Sequence, residues 1–251
     1  MRILLTNDDG IDAPGLASLA EVLIRSGHEL YICAPKGQRS AASHGITLTR
    51  SLTVQQRDFP GAAAAWAISG TPADCVRIAL RNLVKNVDYV FSGINHGFNV
   101  GTDVLYSGTV AAAMEAALSG LPAMAVSLGK NREDLYGRAA DLALKVLERS
   151  EGKKLSGFVL NLNVPETDEL SGIRMAPLGM LNYQDGFRLI SEDEEGCHYE
   201  PWGWLDESVK PEGDTDYVWL ARGFATVTVL HYNMTDISLT DALKEKLNGQ
   251  Y

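Results

Sequence analysis

Cysteine is scarce in this sequence and is not arranged in pairs. The 251 residues include three cysteines, Cys33, Cys75 and Cys197, without a CxxC motif or a Cys/His cluster. An odd, scattered set of this kind argues against a disulfide framework and against a zinc site. We therefore expect a protein of a reducing compartment, the cytoplasm.

Positive charge is also scarce. The 22 Lys and Arg residues are outnumbered by 32 Asp and Glu residues, which gives a formal net charge of −10 at pH 7. Nucleic acids and anionic membranes are bound by basic surfaces, so this charge argues against a stable nucleic-acid partner and against a membrane partner. A small anionic ligand would need local help at its site, such as a metal ion.

Long apolar runs and several well-known motifs are absent. The most apolar stretch, residues 110–128, is interrupted by Glu115, Gly120 and Pro122, and Met1 leads directly into a short apolar run. We expect neither a transmembrane helix nor a signal peptide. The sequence contains no Walker A loop, GxGxxG, GxSxG or HExxH motif, which argues against the nucleotide-binding and hydrolase classes that those motifs mark.

Short apolar runs and amphipathic segments alternate along the first two thirds of the chain. The runs predict strands over 2–6, 29–34, 87–91, 123–128 and 158–163, and the segments predict helices over 14–26, 72–84, 109–118 and 132–149. Such alternation is typical of an α/β fold with a doubly wound, mostly parallel sheet and helices on both faces.

The composition changes after Pro165. Gly, Pro, Trp and acidic residues are dense over 179–216, which indicates hairpins or extended arms that serve oligomer contacts or act as a lid. A returning strand over 224–230 and a short helix over 239–247 follow. We therefore divide the chain into a doubly wound core, residues 1–165, and an extension, residues 166–251, that is not an independent domain.

Two adjacent acids follow the first predicted strand, in the sequence Asn7-Asp8-Asp9-Gly10. Ligands of open α/β folds bind at the carboxyl ends of the strands. Neighbouring like charges are stable only when they are exposed, partly protonated or neutralised by a cation, and carboxylate oxygens suit Mg²⁺, Mn²⁺ or Ca²⁺. Taken alone, the motif fits a plain Asp-Gly turn equally well.

A polar stretch punctuated by glycines occupies residues 92–109, directly after the strand predicted over 87–91. Its glycines allow close approach of the backbone, and its neutral polar side chains offer donors to an oxyanion. Ser107, Gly108 and Thr109 open a helix, whose free N–H groups favour a phosphate. The alternative is that Thr109 only caps the helix. The neutral polar residues are Asn95, Asn99, Ser107 and Thr109.

Two further loops complete the set of motifs. Arg39 and Ser40 follow the second predicted strand and could offer a charge to a phosphate and an oxygen to a metal ion; alone, this segment fits a mobile polar loop. The segment Gly70 to Cys75 fits a helix start, with Thr71 as its cap and Pro72 in its first turn.

Together these motifs resemble the SurE family of survival-protein nucleotidases, which are metal-dependent phosphatases acting on nucleoside monophosphates. The resemblance covers nearly the whole chain, and the motifs stand in the family's order. They are 7–10, 39–40, 70–75, 92–95 and 106–110.

The resemblance implies a site and an assembly. One divalent ion per subunit, Mg²⁺ or Mn²⁺, would be held by Asp8, Asp9, Ser40 and Asn95. The phosphate would bind Asn95, Asn99, Ser107, Gly108 and Thr109. The fold would be Rossmann-like, and C-terminal segments would be exchanged between the subunits of a homodimer or homotetramer.

The expected activity is that of a 5′-nucleotidase, which hydrolyses a nucleoside monophosphate to nucleoside and phosphate. Asp8 would be catalytic, either by orienting the attacking water or by forming an aspartyl-phosphate, and the sequence does not choose between these. A non-catalytic, metal-dependent nucleotide sensor is the alternative, and an oligomeric scaffold with a merely structural acidic turn is a third reading.

Overall fold

The structure, a computed structural model, describes residues 1–151, 156–206 and 213–248. Eleven strands occur in these ranges. They are β1 (Arg2–Thr6), β2 (Glu29–Pro35), β3 (Val54–Arg57), β4 (Ala64–Ile68), β5 (Tyr89–His96), β6 (Ala123–Leu128), β7 (Val159–Val164), β8 (Gly172–Met175), β9 (Tyr183–Asp193), β10 (Gly196–Leu205) and β11 (Phe224–Leu230).

In the described ranges, six α-helices lie between and after these strands. They are α1 (Pro14–Arg25), α2 (Pro72–Ile78), α3 (Gly108–Leu118), α4 (Tyr136–Arg149), α5 (Asp216–Ala221) and α6 (Ile237–Leu247). The helix expected over 72–84 therefore consists of α2 and a π-helical turn, Ala79–Leu83.

Nine strands form one sheet in the order β3-β4-β2-β1-β5-β6-β7-β11-β8. The six strands from β4 to β7 run parallel, and their order is that of a Rossmann fold, with the direction of winding reversed between β1 and β5. Strand β3 pairs antiparallel with β4, and β11 pairs antiparallel with β7. The expected α/β fold with a mostly parallel, doubly wound sheet is confirmed.

Helices cover both faces of this sheet. Along β1, Ile3 and Leu5 point into a core that includes α1 and α4, whereas Leu4 between them points into a core that includes α2 and α3. Successive side chains of a strand point to opposite faces, so a strand buried on both sides must be apolar throughout. This requirement explains the unbroken apolar run of β1.

Four elements were not predicted from the sequence: β3, β4, β8 and α5. Strand β4, with the sequence AAWAI, is rich in alanine, which has low strand propensity, and it is fixed by pairing between β2 and β3. Strand β3 is a polar, mostly exposed edge strand and shows no apolar alternation. Strand β5 also extends further than expected: it ends at His96 and not at residue 91, so Asn95 lies within the strand.

The strands of the extension, residues 166–251, lie in two separate sheets. Strands β8 and β11 join the main sheet, while β9 and β10 form a separate antiparallel hairpin whose side chains are largely exposed. The hairpin agrees with the arms expected over 179–216, although residues 207–212 of that region and 249–251 at the chain end lie outside the described residues. In the ranges that are described, none of the helices combines the length and apolar character needed to cross a membrane.

Candidate functional site

The acidic loop starts where β1 ends, beside the end of β5. Thr6 of β1 lies opposite Ser92 of β5 in the register of this parallel pair. The side chain of Asn7 is fully buried; its Nδ2 donates to the Gly10 carbonyl at 2.8 Å, and its Oδ1 accepts from the Gly10 N–H at 3.2 Å. Asn7 thus closes a tight turn at the topological switch point, from which Asp8 and Asp9 project.

Asp8 is nearly buried, with 6% of its surface exposed. Its Oδ1 accepts a hydrogen bond from the hydroxyl of Thr109, on α3. Burial raises the pKa of Asp8 to about 6, the hydrogen bond from Thr109 opposes this, and the charge of Asp9 adds to it. A nearby cation would stabilise the ionised form of this carboxylate, because it lowers the free-energy cost of a buried negative charge.

Asp9 and Asn95 are joined to the same strand end. The Oδ2 of Asp9 accepts from the His96 backbone N–H at 3.1 Å. The Nδ2 of Asn95 donates to the Gly97 carbonyl at 2.8 Å, which orients the amide and leaves its Oδ1 and its second N–H available to ligands. Both side chains are half-buried.

The start of α3 lies directly against Asp8. The Ser107 hydroxyl oxygen caps this helix by accepting from the Val110 N–H at 3.1 Å. A Cβ atom added to Gly108 would lie 2.9 Å from both the Cβ and the Oδ2 of Asp8, so glycine is required for this approach. Thr109 is fully buried, and its hydroxyl donates a hydrogen bond to the carboxylate of Asp8.

Asn99 is held by a network of hydrogen bonds to two asparagines and one serine. Its N–H donates to the Asn163 Oδ1 at 2.8 Å, and its carbonyl accepts from the Asn161 Nδ2 at 2.8 Å. Its side-chain Nδ2 donates to the Ser127 hydroxyl at 2.8 Å. The residue is 7% exposed, and β6 and β7 supply its partners.

One cleft of about 480 Å³ collects most of the residues predicted from the sequence. All four residues of the expected metal set line it, as do Asn99 and Ser107 of the phosphate set; Gly108 and Thr109 are not among its lining residues. The lining residues are Asp8, Asp9, Gln38, Ser40, Ala41, Asn95, His96, Gly97, Phe98, Asn99, Asp103, Tyr106, Ser107 and Lys130.

Lys130 is a cleft residue that the sequence reading missed. A Cβ atom at Gly97 would lie 2.9 Å from the Lys130 Cε, so the lysine side chain passes over this glycine. Lys130 follows β6 by two residues and therefore stands at the carboxyl edge of the sheet, next to β5. That position was a signal in the sequence, because it is the kind of place where Asp8 and Asn95 were found.

The donor set fits a hard divalent cation. The four residues of the expected metal set bring two carboxylates, one amide oxygen and one hydroxyl to the cleft, and all four groups offer oxygen, the ligand atom that Mg²⁺ and Mn²⁺ prefer. Within 1–151, 156–206 and 213–248, no group of three or more His, Cys, Asp or Glu side chains has the arrangement of a metal site. Asn95 and Ser40 are therefore needed to complete the set.

Comparison with known proteins places these features in a family. The family model described as survival protein SurE matches residues 3–185. The 5′-nucleotidase SurE of Clostridium beijerinckii is 42% identical over 253 residues, which cover 97% of this chain and 98% of the relative. The 5′-nucleotidase SurE of Synechococcus elongatus is 39% identical over 249 residues, with 94% and 95% covered.

The fold agrees with this sequence similarity. The crystal structure of the SurE protein from Aquifex aeolicus superposes with a TM-score of 0.83 at 30% identity and covers 98% of this chain and 99% of that one. The family match spans well over half of the chain, and both relatives align over almost their full length. The chain belongs to the SurE family.

Proposed function

We propose that this protein is a metal-dependent 5′-nucleotidase, which hydrolyses nucleoside monophosphates to nucleoside and phosphate. The observation that carries the proposal is the contact between Asp8 and Thr109, which joins the acidic loop to the start of α3 in one cleft. The relatives named 5′-nucleotidase SurE support the same activity.

One divalent ion per subunit, Mg²⁺ or Mn²⁺, would be held by Asp8, Asp9, Ser40 and Asn95. When bound, such an ion polarises a phosphoryl oxygen and activates a water molecule. The four side chains line the same cleft and offer oxygen only, which supports this assignment. Asp8 and Asp9 would then be neutralised by the cation instead of repelling each other.

The phosphate would bind beside α3. Because Ser107 accepts a hydrogen bond from Val110 through its oxygen, its own hydroxyl proton is free to donate to a phosphate oxygen. The first N–H groups of α3, at Gly108 and Thr109, have no partner within the helix and favour an anion. The side-chain amides of Asn95 and Asn99 would donate hydrogen bonds to the phosphate through their remaining N–H groups, and the ammonium group of Lys130 would offset part of its negative charge.

Asp8 would orient the attacking water. Thr109 fixes one carboxylate oxygen, so the carboxylate has a defined direction, and its Oδ2 lies next to Gly108 where the phosphate would bind. The oxygen of the water forms a bond to phosphorus as the bond from phosphorus to the 5′ oxygen breaks; the water loses one proton, and the leaving 5′ oxygen takes one up. Attack by Asp8 itself is the competing route, to be tested by trapping of a phosphorylated protein.

The assembly would be a homodimer or homotetramer with exchanged C-terminal segments. The hairpin β9–β10 exposes apolar side chains such as Phe187 (74%) and Trp204 (56%), and α6 exposes Leu239 (56%). Such surfaces are costly in water and are typical of protein contacts.

The protein would reside in the cytoplasm. Three free cysteines, two of them buried, fit such a reducing compartment.

The test is the release of inorganic phosphate from a panel of nucleoside monophosphates, after treatment with EDTA and with Mg²⁺ or Mn²⁺ restored. We expect release only with metal. Metal-dependent binding of nucleotides without release would contradict the enzyme and favour the sensor. A folded protein that binds neither Mn²⁺ nor nucleotide would favour the scaffold.

A further inference from the structure

Residues 36–53 connect β2 to β3 without any helix or strand, and they carry Arg39 and Ser40. The Arg39 N–H donates to the Asp8 carbonyl at 2.7 Å, so this connection touches the acidic loop directly. Ala41 and Ser43 have φ angles of +54° and +49°, which residues with a Cβ atom rarely adopt. Such a conformation persists only where surrounding contacts hold it.

The first contacts that hold it are made by Ser43. Its N–H donates to the Tyr106 carbonyl at 3.1 Å, and its hydroxyl donates to the Leu105 carbonyl at 2.8 Å. These carbonyls belong to the turn that leads into α3. The connection is therefore hydrogen-bonded to the residues just before Ser107.

The second contact is made by His44. Its Nε2 lies 3.1 Å from the Oε2 of Glu115, and the other carboxylate oxygen of Glu115 accepts from Arg77 at 3.1 Å. Glu115 is 5% exposed and lies in the C-terminal half of α3. Because a buried carboxylate needs charged or hydrogen-bonding partners, Arg77 fixes Glu115, and Glu115 in turn fixes His44.

Helix α3 therefore contacts both the acidic loop and the connection between β2 and β3. Thr109 contacts Asp8 at the start of the helix, and Glu115 contacts His44 about 9 Å further along its axis. Neither His44 nor Glu115 lines the cleft that contains Asp8. The segment that joins His44 to Ser40 is the short route by which this contact can act on the site, since only four positions separate the two residues.

We propose that His44 and Glu115 are positioning residues that hold Ser40 toward Asp8, Asp9 and Asn95, and that they thereby set the affinity of the site for its divalent cation. The proposal rests on the proposed function, because it takes Ser40 to be a metal ligand. It adds a pair of residues outside the cleft on which metal binding depends.

The test compares His44→Ala with His44→Gln in direct binding of Mn²⁺, without substrate, followed by the electron paramagnetic resonance signal of free Mn²⁺. We expect His44→Ala to weaken binding about tenfold, the lower end for groups that support metal ligands. Glutamine offers an N–H donor at similar reach, so His44→Gln retains most of the affinity. Saturating Mn²⁺ should return the kcat of both variants close to that of the unchanged protein.

A matched control breaks an ion pair far from the site. Arg25→Ala removes the exposed pair between Arg25 and Asp141, at 3.0 Å, and should leave Mn²⁺ affinity unchanged. His44 has a partly exposed side chain, and its removal leaves the Glu115 and Arg77 pair intact, so the variant is expected to fold. Circular dichroism confirms this before binding is measured.

The double variant identifies the route. If His44 acts through Ser40, His44→Ala weakens Mn²⁺ binding much less in a Ser40→Ala background than alone. Unchanged binding in His44→Ala, equal losses in both backgrounds, or no rescue by His44→Gln would overturn the positioning role while the nucleotidase stands. Unchanged binding in Ser40→Ala would instead remove Ser40 from the metal set, and the proposal with it.

Discussion

The hydroxyl of Thr109 donates a hydrogen bond to the carboxylate of Asp8, across 101 residues of sequence. This contact joins the loop after β1 to the first turn of α3, and both partners are nearly or fully buried. The family resemblance implied that Thr109 binds the phosphate. In the structure its hydroxyl binds Asp8, and only its backbone N–H is left for an anion.

Thr109→Val tests this contact, because valine keeps the shape of the side chain and removes the donor. We expect kcat at saturating Mn²⁺ to fall by about tenfold or more, since the Asp8 carboxylate loses the group that orients it. Thr109→Ser keeps the hydroxyl and should keep most of the activity. Equal kcat in the valine variant and the unchanged protein would show that the hydrogen bond has no role in turnover.

Gly108→Ala tests the close approach of α3 to Asp8. The added Cβ would lie 2.9 Å from the Asp8 side chain, so the carboxylate or the helix must shift and activity should be largely lost. Gly137→Ala is the control: it lies in α4, its Cβ meets open space, and it should stabilise the helix by about 0.5–1 kcal/mol. Phosphate release and thermal unfolding of the two variants separate the effects; full activity in Gly108→Ala would refute the packing argument.

Lys130→Met tests the positive charge in the cleft. Methionine retains the length of the side chain over Gly97 but removes the ammonium group that would face an anionic substrate. We expect KM for a nucleoside monophosphate to rise several-fold with little change in kcat, and the dependence of kcat/KM on salt to weaken. An unchanged KM at low salt would exclude Lys130 from substrate binding.

Asp74→Asn tests the anchor of the connection between β2 and β3. Asp74 accepts from the Thr47 N–H at 2.9 Å and its hydroxyl at 2.6 Å, and from the Thr71 N–H at 3.0 Å. Burial alone would raise the pKa of Asp74, but these hydrogen bonds outweigh it, and the pKa lies below its usual value. At neutral pH we expect the variant to lose about 2 kcal/mol, because an amide NH₂ would face these donors.

The pH dependence of that difference follows from the sign of the shift. A carboxyl whose pKa is lowered by folding contributes stability above its unfolded pKa, about 3.9, and loses that contribution as the pH falls through the folded value. The gap between the two proteins should therefore narrow at acidic pH in urea unfolding experiments. A gap that stays constant or widens as the pH falls would contradict the role assigned to the charge of Asp74.

Apolar patterning predicted the elements of the sheet that are buried on both faces, such as β1 and β6, because such strands must be apolar throughout. It did not predict β4, whose alanines have no strand preference of their own, or the polar edge strand β3. For the site, the rule that ligands bind at strand ends located the loops of Asp8 and Asn95. It could not show where each hydroxyl points, which is why the partner of Thr109 was missed.

Asp8 is expected to be essential for metal-dependent hydrolysis, and phosphate release by Asp8→Asn beside Asp12→Asn measures this. Asp12 lies close by in the same chain segment but is exposed and paired with Arg57 at 2.9 Å, so it provides the same chemical change outside the metal set. With Mn²⁺ and a nucleoside monophosphate, we expect folded Asp8→Asn to release no phosphate above background, whereas Asp12→Asn stays active. Undiminished release by folded Asp8→Asn would contradict it.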